Sequence, residues 1–504
     1  VPFSGESYDS DRVWFGYILG AGATNATATY LPKSLKKLSI TKTQEPDGNK
    51  IFGDTYDRET GKNYLENVEE IVLPDGWTTI DTNLFENCTG LINVSIPDSV
   101  TSIGNSAFQN CVGLVSIVIP NSVTEIGSSA FAGCSGITNI EIPEGVTNIG
   151  TNVFYNCSRL TDVIWKIENI AEESFIKPVF SGCDNLATVT ITENVKKIPS
   201  KTFTGLSLKH INYNAGLSRW LSLDHFSNGL LIAEGGELFI NGLKIEKELL
   251  IPDGVTNISN MSFYNCSDLT SVVIPDTITN IGDSAFYKCL ELTSVSMGNG
   301  VTNIESNAFY GCSKITSISI PNSVTSIGSY AFGNCTELKS AVISDSVTSI
   351  GRSAFENCTE LTSLTFGIGV RKIDDTYFRY CNRLTDIYYT GDISSWCGIT
   401  GLGYIMYNHR TLYINGKKVE GLLIIPDEVK RIGNSAFSGC KEITNVTIPK
   451  SVTSIGASAF SNCSSLTSIT ISDGVMVIGN SAFSGCKRIT NVTIPKSVTS
   501  IGAD

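Results

Sequence analysis

Apolar residues return along most of this chain at an interval far longer than the turn of a helix or the alternation of a strand. Phenylalanine marks the interval: Phe85, Phe108, Phe131 and Phe154 are spaced 23 residues apart, as are the residues from Phe263 to Phe378 and from Phe437 to Phe483. Phe180 and Phe203 keep the series going after one longer step. Cysteine follows three positions after fourteen of the fifteen repeat phenylalanines, Leu206 being the exception. Isoleucine precedes fourteen of them by five positions, with Phe175 as the one replacement. So strict a period predicts stacked supersecondary units that bury their apolar faces against neighbours and do not fold singly.

One unit, residues 114–136, shows the physical logic. Leu114, Ile117 and Ile119 form an L-x-x-I-x-I strand with its apolar side chains inward, and Pro120, having no N–H, ends it. Val123 and Ile126 begin a second extended segment, Gly127 allows a bend, and Ala130, Phe131 and Cys134 close the coil.

Two stretches interrupt the array, at about 207–248 and 384–422. Each carries a tryptophan, Trp220 or Trp396, and then an Asn-Gly pair between alternating apolar residues, Asn241-Gly242 and Asn415-Gly416. That pair is a strong hairpin signal, so both insertions are expected to protrude as a loop or helix plus a β-hairpin. Residues 1–65 are less regular and read as an N-terminal cap with degenerate first repeats; 66–504 read as the repeat array. Residues 433–457 and 479–503 differ only at Glu442 and Arg488, a block copied nearly unchanged. Because the last unit stops short of its Phe and Cys, the natural protein is expected to continue beyond Asp504. The start at Val1, without a Met or a signal peptide, reads as a mature or trimmed chain from which any export signal has been removed.

Charge narrows the functional classes. With 36 basic and 49 acidic residues the formal charge is -13, which repels phosphate backbones and anionic lipid. No nucleic acid is expected as a partner, and Lys33, Lys36 and Lys37 read as a solvated face. No apolar run approaches the roughly 20 residues of a membrane span, so no direct membrane insertion is expected either.

The search for chemistry returns little. Fifteen cysteines recur at coil spacing and never as C-x-x-C, which favours a ladder of free buried thiols over disulfides or metal; Cys397, off the ladder, is the one expected to be exposed. His210, His225 and His409 lie in or beside the insertions without a nucleophile or a metal-binding spacing. Asp54, Asp57 and Glu59 miss the spacing of a calcium loop. No catalytic, metal or cofactor residues are assigned, and no cofactor is expected.

The pattern C-x-x-L-T-S-V-x-I-P-x-x-V-T-x-I-G-x-x-A-F, seen at residues 312–332 and 463–483, resembles the BspA-type leucine-rich repeats of bacterial surface proteins, and the resemblance covers about residues 66–504. It implies a β-rich α/β solenoid: a curved, right-handed leucine-rich-repeat superhelix of 23-residue repeats with short strands. It further implies an extracellular or cell-surface location and non-catalytic adhesion or recognition. The partners so implied are a host matrix or cell-surface protein or another bacterial surface molecule; the alternatives are a glycan-binding surface protein that uses the aromatic residues of the insertions, and a structural cell-wall spacer.

If the strands line a binding face, its outward residues include Ser116 and Val118, Asn139 and Glu141, Ser294 and Ser296, Ser317 and Ser319, and Ser468 and Thr470. Aromatic anchors gather instead at the insertions, with Trp165, Tyr213 and Trp220 at the first and Tyr388, Tyr389, Trp396, Tyr404 and Tyr407 at the second. The ligand-binding candidates are Trp220, Tyr388, Tyr389, Trp396, Tyr404 and Tyr407, against the alternative that these rings fill the cores of the insertions.

Overall fold

The computed structural model describes residues 35–40, 56–57, 62–63, 65, 67–168, 178–196, 198, 202–223, 232–374, 376–406 and 410–503. The apolar stretch from Val13 to Leu19, expected to cover the open first coil as a cap, and the side chains of Asp54, Asp57 and Glu59 lie outside these residues. The chain divides into two compact units, Val1–Ile245 and Glu246–Asp504. Each is a parallel β-solenoid whose turns repeat about every 23 residues.

Every coil is held by the side chains that set the sequence period. Phe108 and Phe131 stack with ring centroids 5.3 Å apart and planes 3° from parallel, and Phe286 and Phe309 do so at 5.1 Å and 4°. The preference for cysteine has a direct cause. The Cys134 Sγ donates to the Phe108 carbonyl at 3.0 Å, and Cys312 to Phe286 at 3.1 Å, so the thiol satisfies a buried carbonyl of the preceding coil. The Phe N–H faces the other way, donating to the following coil, as from Phe108 to Ala130 O at 2.7 Å. All fifteen cysteines are free.

Two residues of most turns take positive φ, for example Ser129 at 57° and Gly133 at 74° around Phe131. The left-handed region admits Gly readily and Asn with little penalty, which accounts for the recurring Asn or Gly just before the repeat Cys. On the opposite edge, two-residue strands such as Ser102–Ile103, Glu125–Ile126 and Asn148–Ile149 pair in register. A Cβ on Gly127 there would lie 2.5 Å from the Asn105 backbone N. Only glycine lets the coils approach so closely.

In the first unit a parallel sheet runs through β1 (Asn139–Ile142), β2 (Asp162–Trp165), β3 (Thr188–Ile191) and β4 (Leu208–Tyr213). After α1 (Leu217–Ser222) comes β5 (Ile232–Ile240), and the sheet ends in the hairpin partner β6 (Leu243–Lys244). Not every coil forms a ladder: Leu114, Ile117 and Ile119 are buried as expected, but no strand forms over residues 115–120. The inward side chains therefore keep the core continuous where the hydrogen-bonded sheet is interrupted.

The second unit contains the sheet β7 (Ser317–Ser319), β8 (Ser340–Ile343), β9 (Ser363–Phe366) and β10 (Asp386–Tyr389). After α2 (Ile393–Cys397) and α3 (Gly403–Met406) it continues into β11 (Thr411–Ile414) and closes with β12 (Lys417–Lys418). A new sheet then starts with β13 (Gly421–Ile424) against β14 (Ile443–Ile448).

The hairpins expected at both Asn-Gly pairs are present, but the insertions do not stand off as protrusions. Strand β5 joins β4 in parallel, and β11 joins β10, so each insertion supplies a strand of the solenoid. In the second, Ile373 N–H donates to Thr400 O at 2.8 Å and Gly433 N–H to Cys397 O at 3.0 Å. Residues 397–400 thus stand in for a coil's second edge, because the backbone groups of both neighbouring coils need partners there.

Candidate binding face

The strand faces sort side chains cleanly. On β1, Ile140 and Ile142 are buried while Asn139 and Glu141 are exposed, and β7 buries Ile318 between exposed Ser317 and Ser319. The other outward candidates, Ser116, Val118, Ser294, Ser296, Ser468 and Thr470, are exposed too. Val118 is the extreme at 78%. Period-two geometry thus frees one side of each strand from any duty in the core.

The aromatic candidates divide sharply. Trp220, Tyr389 and Trp396 are at most 2% exposed, so they are core residues and present no ring to a ligand. Trp220 packs against buried Tyr213 at 5.4 Å, and Trp165 is equally buried. Trp396 packs against Tyr389 at 5.4 Å and Phe366 at 5.9 Å, and its Nε1 donates to Ala436 O at 2.8 Å. Each tryptophan lies on the short helix of its insertion and packs against core rings of the neighbouring strands. Tyr404 is half exposed on α3, and Tyr407 lies outside the described residues. Cys397, expected to be exposed, is buried beside Trp396 on α2, and burial pushes its thiol up to about 12.

Tyr388 is the remaining candidate, and it faces outward. Its ring stacks on Tyr413 at 4.4 Å with planes 12° apart, and the two residues are directly opposite on β10 and β11. Burial, then the neighbouring Asp386 charge, raises its phenol above the ordinary value. Sequence reading missed Tyr413, though Leu412 and Ile414 flank it as inward residues and so mark it as outward. It also missed the ladder Tyr264, Tyr287 and Tyr310, stacked at 4.7 and 5.0 Å; its signal is a tyrosine immediately after the repeat Phe in three consecutive units.

Several charged residues pair along the surface. Lys36 and Lys37 bond Glu69 and Glu70 at 2.6 and 2.7 Å. In the first insertion Glu237 sits 3.2 Å from His210 Nδ1 and 2.6 Å from Lys244 Nζ. His225 and His409 lie outside the described residues. At the second hairpin Lys418 bonds Glu442 and lies 3.6 Å from Glu420, which raises the lysine and lowers Glu442. No group of three or more potential metal ligands occurs among the described residues, and none of their helices is long and apolar enough to cross a membrane.

Comparison with known families adds a finding of its own. Six copies of the BspA type leucine rich repeat region match residues 62–178, 174–228, 237–325, 302–396 and 416–504. Among solved structures, the chain is similar to a leucine rich cell surface protein from Faecalibacterium prausnitzii, at 25% identity over 75% of this chain and 88% of that one, with a TM-score of 0.35. A leucine-rich repeat protein from Bacteroides ovatus matches at 24% identity over 92% and 88%, with a TM-score of 0.25. The pneumococcal vaccine antigen PcpA matches at 18% identity over 71% and 85%, with a TM-score of 0.42. No curated protein matches the chain.

Proposed function

The chain belongs to the BspA-type leucine-rich-repeat family, and from that premise we propose that it is a secreted or surface-displayed, non-catalytic binding protein that adheres to or recognises macromolecules of a host or of other bacteria. The observation that carries this reading is the outward strand face, where alternate residues of the strands are exposed, many of them small and polar, while their neighbours build the core. Such a face can change its residues coil by coil without loss of stability, which suits recognition by an extended protein surface.

Binding of the purified chain to matrix proteins, epithelial surfaces and partner bacteria tests it. A paired charge substitution on the face, Ser317→Glu with Ser319→Glu, is expected to weaken capture of any partner found there while leaving the melting temperature within a few degrees. Uniformly absent capture by the folded chain counts against the proposal.

A further inference from the structure

Across β8, β9, β10 and β11 the outward residues form two rows in register. One runs Ser340, Ser363, Asp386 and Thr411; the other runs Val342, Thr365, Tyr388 and Tyr413. Only Asp386 carries charge. The Tyr388 ring has one face covered by Tyr413 at 4.4 Å. Tyr388 is half-buried, and the side of its ring away from Tyr413 is turned along the sheet towards the shorter side chains of Thr365 and then Val342. The result is a shelf with an aromatic wall, a low floor about two strand spacings wide, roughly 10 Å, and a carboxylate on the adjacent row.

We propose that this shelf binds a neutral sugar residue of a glycan, its C–H face against the free face of Tyr388 and a pair of its hydroxyls on Asp386 and Ser363. A pyranose presents an apolar face rimmed by vicinal hydroxyls. The wall supplies contact area for the first, and a carboxylate, acceptor only, takes two O–H donors of the second. The negative charge of Asp386 disfavours sialylated, sulfated or phosphorylated ligands, since the one basic residue that continues these rows, Lys418 opposite Tyr413, lies on the far side of the wall and is paired with Glu442 and Glu420. A protein anchor is less well served, because the floor is shallow and offers no desolvated pocket of the kind that concentrates protein-binding energy. The first insertion lacks the wall: Asn212 occupies the position of Tyr388, opposite Phe239. The shelf rests on the binding role proposed above and gives it a ligand class.

The test is calorimetric titration of the whole chain with three neutral oligosaccharides, cellohexaose, maltohexaose and lacto-N-tetraose. Saturable binding of at least one is expected, weakened roughly tenfold by Tyr388→Ala and held within about threefold by Tyr388→Phe. Asp386→Asn is expected to weaken it as well. Thr365→Arg keeps the ring but lays a guanidinium over its free face, and should abolish binding in a chain whose melting temperature is unchanged. Tyr155→Ala, at an exposed ring of the first unit, should leave binding intact. No saturable binding by the folded chain, or binding that both Tyr388→Ala and Thr365→Arg leave untouched, overturns the shelf. Capture of a protein partner without any sugar also overturns it, while leaving the broader binding role in place.

Discussion

At the scale of single residues, the repeat cysteine shows how one side chain can serve both the core and the backbone. Burial raises several of the thiols, Cys266 and Cys440 to about 12, so the folded chain keeps these protonated where an unfolded chain would lose protons from about pH 8.5 upward. The sign follows from that order. The stabilisation is complete below the unfolded value and is lost progressively as pH rises towards the folded value, at up to about 1.4 kcal/mol per pH unit for each such thiol. Denaturation midpoints are therefore expected to fall steeply between about pH 8.5 and 12, and thiol alkylation at neutral pH to be slow until the chain is unfolded. Rapid alkylation of Cys266 in the native protein would contradict this. Gly127 makes a second residue-scale case: Gly127→Ala should cost about 1–3 kcal/mol in denaturant unfolding, because the coil must separate to admit the methyl group.

At the scale of elements, the insertions decide how far the sequence could be read. The repeat core was legible residue by residue, since Ile, Phe and Cys at fixed offsets leave one way to turn each coil. The insertions offered no period, and there a tryptophan in a loop-like stretch reads equally as an anchor for a ligand or for the core. Local alternation still held information. Leu384, Ile387 and Tyr389 follow the same L-x-x-I-x-I spacing as a regular coil, which places Tyr389 inside and Tyr388 outside, as found. What no local pattern could supply was that residues 397–400 would bond two coils distant in sequence. Because Trp396 fills this joint, Trp396→Ala is expected to cost about 3–5 kcal/mol. Trp396→Phe should keep much of the packing while leaving the Ala436 carbonyl without its donor, a loss of about 1–3 kcal/mol. Comparing the two midpoints in urea separates ring from hydrogen bond.

At the scale of the whole molecule, stability is a sum over neighbouring coils. Damage should therefore stay local. Within the second unit, Phe309→Ala is expected to lower amide protection most in the coils that carry Phe286 and Phe332, against which its ring stacks, and least near Phe460. Hydrogen exchange followed by mass spectrometry reads this directly, and a uniform loss along residues 246–503 would show a cooperativity the repeat architecture does not predict.

The sulfur-to-carbonyl bond between coils has a polarity with a further consequence. In a regular coil the phenylalanine amide and carbonyl both engage the coil that follows, while the thiol reaches back to the coil before. The two surfaces of a coil are thus unlike but complementary, as with interlocking tiles that fit in a single orientation. Duplicated coils can be spliced in at any joint provided they keep the same sense, and an inverted one would meet amide with amide; growth by copying is open to this scaffold, and growth by reversal is closed.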